Sequence, residues 1–251
     1  MAGTLAVVVM AAGKGTRMKN PDMAKVMYPI NGRPMIDYVV DLALRVHSAR
    51  TVVIVGWQKD TIIDHLRQEA PVVRWVDQNP QLGTGHAVMQ AEPELTDFEG
   101  DVLVLSGDVP MLSFETISAL ISAHWSHRAA ATVLTTVLDD ATGYGRILRD
   151  TDGNVVGIIE HKDATEGQRA IREINSGIYV FEKNRLFEGL RQITPDNAQK
   201  EYYLTDVFKY FWRNAIPVRA VKTERQREVQ GINTLQQLEE AREMMKSESR
   251  G

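Results

Sequence analysis

The sequence predicts an α/β fold: a doubly wound, three-layer architecture in which a mostly parallel sheet lies between two layers of helices. Apolar runs at 5–10, 51–55, 72–76 and 102–105 are nearly continuous, as expected of strands covered on both faces. Amphipathic stretches at 35–46, 61–69 and 114–124 alternate with them, which is the pattern of βαβ units. No internal repeat, low-complexity tract or Pro/Gly-rich linker breaks the 251 residues, so 1–251 reads as a single domain.

Taken in order, the run at 5–10 opens the sheet, and the three following strand and helix pairs build its parallel half. Residues 131–137 read as a further central strand. Segments 145–149 and 155–160 flank Asp152-Gly153, a hairpin signal, and predict a β-hairpin inserted over the sheet. Strands at 178–181 and 218–221 enclose a helix at 205–213. The last helix starts at Asn233 or Thr234, and its stripe of Leu235, Leu238, Ala241, Met244 and Met245 is expected to pack on the core. The tail from Lys246 is expected to fray.

Composition removes several function classes. A chain that is 43% hydrophobic and 25% charged can bury a sizeable core without staples. With 29 Lys+Arg against 33 Asp+Glu the net charge is −4, so nucleic acid and anionic membrane are not expected partners. Zero cysteines exclude a disulfide framework, a thiolate nucleophile and a Cys-ligated metal, and fit a reducing compartment. The apolar run at 5–12 is too short to span a bilayer and has no cation before Lys14, so a cytoplasmic location is expected.

The chemistry-bearing motifs begin where the first strand ends. Ala11-Ala12-Gly13-Lys14-Gly15-Thr16-Arg17-Met18 is a glycine-rich turn with cations at a carboxyl strand edge, where open α/β sheets bind ligands. Its backbone N–H groups and charges suit a di- or triphosphate, and the same turn would also serve with its cations solvated. It is not a Walker loop, because Gly15 follows Lys14 and Val8 stands at the earlier glycine position. Nor is it a dinucleotide fingerprint, because Met18 replaces the third glycine. Lys25 follows in a broken segment and is suited to balancing charge on a phosphoryl group. The strand at 102–105 ends in Ser106-Gly107-Asp108, where a carboxylate can hold magnesium or cap a helix. Gln78, with donor and acceptor, suits a uracil edge, and Gly83-Thr84-Gly85-His86-Ala87 opens a helix. Gly145, Glu160, Asn175 and Asn233 are polar or glycine positions beside strands and helix starts, and turn or cap chemistry also explains Asn175 and Asn233. No Gly-x-Ser-x-Gly or His-Glu-x-x-His motif is present, and His124 and His127 are expected on a helix surface. The run His161-Lys162-Asp163 has no assignable mechanism.

With these pieces in order, the chain resembles the sugar-1-phosphate nucleotidyltransferases. The nearest group is the uridylyltransferase (pyrophosphorylase) domain of bacterial UDP-N-acetylglucosamine pyrophosphorylases. The matching runs are Met10 to Met18, Gln81-Leu82-Gly83-Thr84-Gly85-His86-Ala87, Gly107-Asp108-Val109-Pro110, Gly143-Tyr144-Gly145-Arg146-Ile147, Glu160-His161-Lys162-Asp163-Ala164, Glu173-Ile174-Asn175-Ser176-Gly177, Glu201-Tyr202-Tyr203-Leu204-Thr205-Asp206 and Gly231-Ile232-Asn233. The resemblance implies a Rossmann-like three-layer αβα nucleotidyltransferase fold. It implies that UTP and N-acetylglucosamine-1-phosphate are the substrates, with Mg²⁺ as cofactor.

By the same resemblance, Met10, Ala11, Ala12, Gly13, Gln78, Gly83 and Thr84 would surround the uridine. Arg17 would meet the β- and γ-phosphates, Lys25 would balance the α-phosphate, and Asp108 with Asn233 would hold Mg²⁺. Ser106 and Gly107 would line the site, and Gly145, Glu160 and Asn175 would bind the sugar. The run from Glu201 to Asp206 is expected to be structural. The sequence departs from the family pattern at Ala24, where Pro is common, in a longer loop around Asn20-Pro21-Asp22-Met23, and at Ser106, where Tyr is frequent. It carries no hexapeptide-repeat acetyltransferase segment, so acetylation of glucosamine-1-phosphate is not expected. The alternatives are the same reaction on another sugar phosphate or NTP, or a non-catalytic nucleotide-sugar-binding module.

Overall fold

The computed structural model describes residues 3–18, 20 and 22–248. Strand β1 (Leu5–Met10) lies inside the sheet, and its Val7, Val8 and Val9 are all fully buried. A strand can bury consecutive side chains only if both faces are covered. After a two-residue pair, β2 (Pro29–Ile30) and β3 (Arg33–Pro34), the chain forms α1 (Met35–Arg45), β4 (Arg50–Val55), α2 (Lys59–Glu69) and β5 (Arg74–Asp77). Then come α3 (Thr84–Met89), β6 (Asp101–Ser106), α4 (Phe114–His127) and β7 (Ala131–Val137). The hairpin β8 (Arg146–Arg149) and β9 (Val155–Ile159) is followed by α5 (Glu166–Arg169), β10 (Glu173–Glu182) and α6 (Lys183–Leu190). The chain closes with α7 (Asp206–Arg213), β11 (Val218–Lys222) and α8 (Leu235–Glu248).

The sheet runs β11-β7-β10-β6-β1-β4-β5, and β10 is antiparallel to both its neighbours. Strands β4 and β6 flank β1 in parallel, with Met10 opposite Ser106, so the order reverses between β1 and β6. That switch point leaves a crevice at the carboxyl ends of the two strands. One apolar layer joins Leu5, Val7 and Val9 to α1, α2 and α4, and the other joins Ala6 and Val8 to α3, α6 and α7. This three-layer, mostly parallel arrangement is the one expected from the sequence.

Several local expectations change. Val72 is 72% exposed in a turn, and the third parallel strand in chain order, β5, starts at Arg74, because Val73 rather than Val72 enters the core. The hairpin does not lie over the sheet but extends it, β8 pairing with β10 at Ile174 and Arg146. Asn175-Ser176-Gly177 lies not in a turn before a strand but inside β10, as a bulge between Asn175 and Tyr179. Turn chemistry explains it: Asn175 Oδ1 accepts from Gly177 N–H and Ser176 Oγ from Ile178 N–H, with Gly177 at φ +79°. His124 is buried, its Nδ1 2.9 Å from Thr132 Oγ1, because that face of α4 packs on β7; His127 is exposed as expected. In α8, Leu238 and Ala241 are buried beside Met18, Ile30 and Met35, while Leu235 is 49% exposed. The helix continues through Lys246 to Glu248; the rest of the expected tail, 249–251, lies outside the described residues, as do Lys19 and Pro21 of the longer loop.

Candidate active site

The switch-point crevice is a cleft of about 510 Å³. Met10, Ala11, Ala12, Gly13 and Lys14 form one wall, Ser106 and Asp108 the floor, and Gln78, Gly83 and Thr84 the far side. Gly13 faces open space, with nothing within 4 Å of a Cβ built there. Gly15 differs: it has φ +58°, and a Cβ would lie 2.6 Å from Lys25 Cβ, so the second glycine seats the lysine stem. Gly107 donates its N–H to Met10 O at 2.9 Å, tying the β6 loop to β1.

Lys25 Nζ lies 2.5 Å from Asp108 Oδ2 and 3.1 Å from Asn233 Oδ1, and Arg17 Nη2 lies 2.8 Å from the same Asn233 oxygen. Residues from three separate stretches of the chain thus meet around one point. The capping alternative for Asn233 fails, because Thr234 caps α8: its Oγ1 accepts from Gln237 N–H, and Gln237 Oε1 accepts from Thr234 N–H. The Asn233 side chain turns to Arg17 and Lys25 instead, and Asp108 Oδ2 turns to Lys25. Ile232 N–H donates to Asp108 O, which holds the two loops together. Among the described residues no group of three or more His, Cys, Asp or Glu could hold a metal. One carboxylate and one amide oxygen, both directed at a cation, nevertheless form the hard-oxygen set that suits Mg²⁺ when phosphates complete its shell.

On the far side, Gln78 Nε2 donates to Gly83 O at 2.8 Å. With His86 Nδ1 as the second partner at 3.2 Å, both amide hydrogens are engaged within the protein, and the carbonyl oxygen is the group Gln78 has left to offer a base, where the sequence suggests a donor and acceptor pair. Gly83 has φ +107°, and a Cβ there would meet Tyr202 O at 2.6 Å. The reason is a docked segment: Tyr202 N–H donates to Leu82 O, Gly85 N–H to Tyr202 O, and Leu204 N–H to Thr84 Oγ1. The runs 81–87 and 201–206 are therefore one substructure. Glu201 lines the cleft and Gln81 Nε2 donates to Ala12 O at 2.6 Å. Neither contact is legible in the sequence, although Gln81 and Glu201 belong to the runs 81–87 and 201–206.

Gly145, Glu160 and Asn175 also come together. Asn175 N–H donates to Gly145 O at 2.9 Å, and a Cβ on Gly145 would lie 3.4 Å from both Asn175 Cβ and Glu160 Oε1. Glu160 accepts from Thr205 Oγ1 at 2.9 Å and faces a neighbouring cavity of about 400 Å³ that Asp163, Tyr203 and Asp206 also line. Burial pushes its carboxyl up, the Thr205 hydroxyl opposes this, and Asp206, Asp163 and Glu201 add to it. Burial weakens the acidity of the Tyr144 phenol, the Asp108 carboxylate adds to this, and the Arg17 guanidinium opposes it.

The fold and the cleft define an α/β protein with a crevice at a β1/β6 switch point, lined by the cation Lys25 and by the carboxylates Asp108 and Glu201. Residues 7–203 match the family model of the MobA-like NTP transferase domain, and the chain belongs to that family of nucleotidyltransferases. It is similar to the "Bifunctional protein GlmU" of Brevibacillus brevis, 47% identical over 242 residues, or 95% of this chain and 51% of the relative. The protein of the same name from Geobacter metallireducens is 46% identical over 239 residues, or 95% and 50%. The chain spans about half the length of these curated relatives. Among solved structures, a UDP-glucose pyrophosphorylase complexed with UDP-glucose shares the fold, with TM-score 0.79 at 17% identity over 98% of this chain and 99% of that one. Among the described residues no helix is long and apolar enough to cross a membrane.

Proposed function

We propose that residues 1–251 act as one uridylyltransferase domain, which converts UTP and N-acetylglucosamine-1-phosphate to UDP-N-acetylglucosamine and pyrophosphate. The observation that carries this is the meeting of Arg17, Lys25, Asp108 and Asn233 at the mouth of the glycine-lined cleft. Similarity to proteins named GlmU over 95% of the chain supports the choice of reaction. A phosphate oxygen of the sugar phosphate attacks the α-phosphorus in line; the new O–P bond forms as the bond to the bridging α,β oxygen breaks, and pyrophosphate leaves with that electron pair. The attacking oxygen is already anionic, so the protein needs no base.

Lys25 and Arg17 balance charge on the α-phosphate and the leaving pyrophosphate. The backbone of residues 10–13 cradles the nucleotide, and Gly107 and Ser106 shape the floor below it. The carbonyl oxygen of Gln78 accepts from a ring N–H, which favours uracil, protonated at N3, over cytosine, which is not. Gly83 and Thr84 close the base side. Asp108 Oδ2 and Asn233 Oδ1 would hold Mg²⁺, whose charge there would bring the two phosphates together. Glu160 and Asn175 bind the sugar hydroxyls beside Gly145, whose missing side chain leaves them room. The protein works on small molecules in the cytoplasm in this reading.

The test is pyrophosphate release with Mg²⁺, UTP and N-acetylglucosamine-1-phosphate, run beside glucose-1-phosphate and the other NTPs. Release confined to the first pair supports the reading. Release with another pair moves the substrate, and binding without release in any mixture overturns the catalytic reading.

A further inference from the structure

We infer that Lys25 is a built-in cation that holds the metal position closed in the nucleotide-free protein, and that the nucleotide's phosphates open it. The inference rests on the proposed metal ligands, Asp108 and Asn233. Both oxygens are already engaged: Lys25 Nζ takes Asp108 Oδ2 and Asn233 Oδ1 together, and Arg17 takes the second lone pair of Asn233 Oδ1. A divalent ion bound by these two oxygens would meet the ammonium directly, and like charges at that separation repel. The pair is mostly shielded from water, with 14% and 19% of the two side chains exposed, so solvent screens that repulsion only in part.

The ammonium can leave while its stem stays. Lys25 Cβ, Cγ and Cδ pack over Gly15, the Cα of Lys25 follows the buried Ala24, and the side chain already lines the nucleotide cleft. Rotation about the outermost bonds turns Nζ from Asp108 towards a phosphate in that cleft. A triphosphate offers more negative charge than one carboxylate and an amide, so its arrival draws Lys25, and with it Arg17, off the two oxygens. Metal entry then follows nucleotide entry, and one residue serves in turn as placeholder and as phosphate ligand.

The test measures Mn²⁺ binding, by the EPR signal of the free ion, to the full chain without nucleotide. Lys25→Met keeps the stem that packs on Gly15 and removes the charge. It should bind Mn²⁺ at least about tenfold more tightly than the wild type, and adding Asp108→Asn should abolish the gain. Equal affinity of the wild type and Lys25→Met, with both dependent on Asp108, overturns the gate while leaving the metal ligands intact. A second measurement needs no change at Lys25: UTP should raise Mn²⁺ affinity in the wild type well above its effect in Asp108→Asn, which reports binding to UTP itself. If no form binds Mn²⁺ in an Asp108-dependent way, with or without UTP, the metal reading fails and the gate with it.

Discussion

Two glycines of the cleft look alike in the sequence, and the structure gives them opposite fates on substitution. At Gly83 an added methyl would lie 2.6 Å from Tyr202 O, 2.8 Å from Glu201 Cβ and 2.9 Å from Tyr202 N. Those atoms cannot step aside, because Tyr202 N–H is bonded to Leu82 O and Tyr202 O to Gly85 N–H. Backbone strain at φ +107° costs about 1–3 kcal/mol and overpacking about 1–3 kcal/mol more. Together that is about 2–6 kcal/mol, and at roughly 2–4 °C per kcal/mol for a chain of this size Gly83→Ala should lower Tm by about 4–24 °C. At Gly13 the methyl meets nothing within 4 Å and φ is not positive. Gly13→Ala should leave Tm unchanged or slightly raised, since a tolerated replacement stiffens the unfolded chain by about 0.4–1 kcal/mol. The methyl would instead occupy the space through which backbone N–H groups reach a phosphate. Losing one or two such charge-assisted bonds, about 1.5–3 kcal/mol each, should weaken UTP binding by about 10-fold or more. Thermal melting and UTP titration calorimetry on both variants give the answer. Gly13→Ala with wild-type UTP affinity would refute the phosphate cradle, and Gly13→Ala melting as low as Gly83→Ala would refute the space assigned around it.

Asp108→Asn should cut turnover by about 100-fold or more while leaving part of UTP binding, because it removes the single carboxylate at the cation position; wild-type turnover at limiting Mg²⁺ would exclude Asp108 as a ligand. Gln78→Ala should relax the choice between UTP and CTP more than it lowers the maximal rate, and nucleotide competition assays compare the two effects. The raised carboxyl of Glu160 means that the folded state holds its proton more tightly than the unfolded chain. Its favourable contribution is complete below the ordinary carboxylate range and is lost as pH rises through the raised value. Glu160→Gln should therefore match the wild type in Tm near pH 4 and exceed it near pH 8, and a Tm difference that does not change with pH would show that burial of this charge is not destabilising.

What was legible in the sequence follows from the range of the physical constraint. The strands at 5–10 and 102–105 announce themselves because burial on both faces dictates each residue, and the glycines at 15 and 83 because a positive φ is a local requirement. Asn233 is the opposite case. A cap and a ligand look the same in one dimension, and only the neighbouring Thr234 taking the cap frees Asn233 for Lys25, 208 residues away. Asn175-Ser176-Gly177 has the chemistry of a turn, and it makes one, but within a strand that β7 holds extended on both sides of the bulge, β8 adding to it before and β6 after. Gln81 and Glu201 were invisible as contacts because each depends on a segment from elsewhere in the chain: Ala12 for the first, the docking of 201–206 on 81–87 for the second. The burial of His124 is hidden from the sequence for the same reason, its Thr132 partner lying on the next strand. The site's parts are thus written locally, while their assignment to cap, wall or cation position is made by the pairing of β1 with β6 and by the return of the chain at Gly231 to Asp108. A substitution that loosens that return without touching the cleft, such as Ile232→Ala in the buried contact with Met18 and Leu238, should lower metal-dependent turnover before it lowers UTP affinity, since it releases Asn233 and leaves residues 10–13 in place. Parallel loss of both, measured by turnover at limiting Mg²⁺ and by UTP titration, would mean that the last loop supports the nucleotide cleft as a whole.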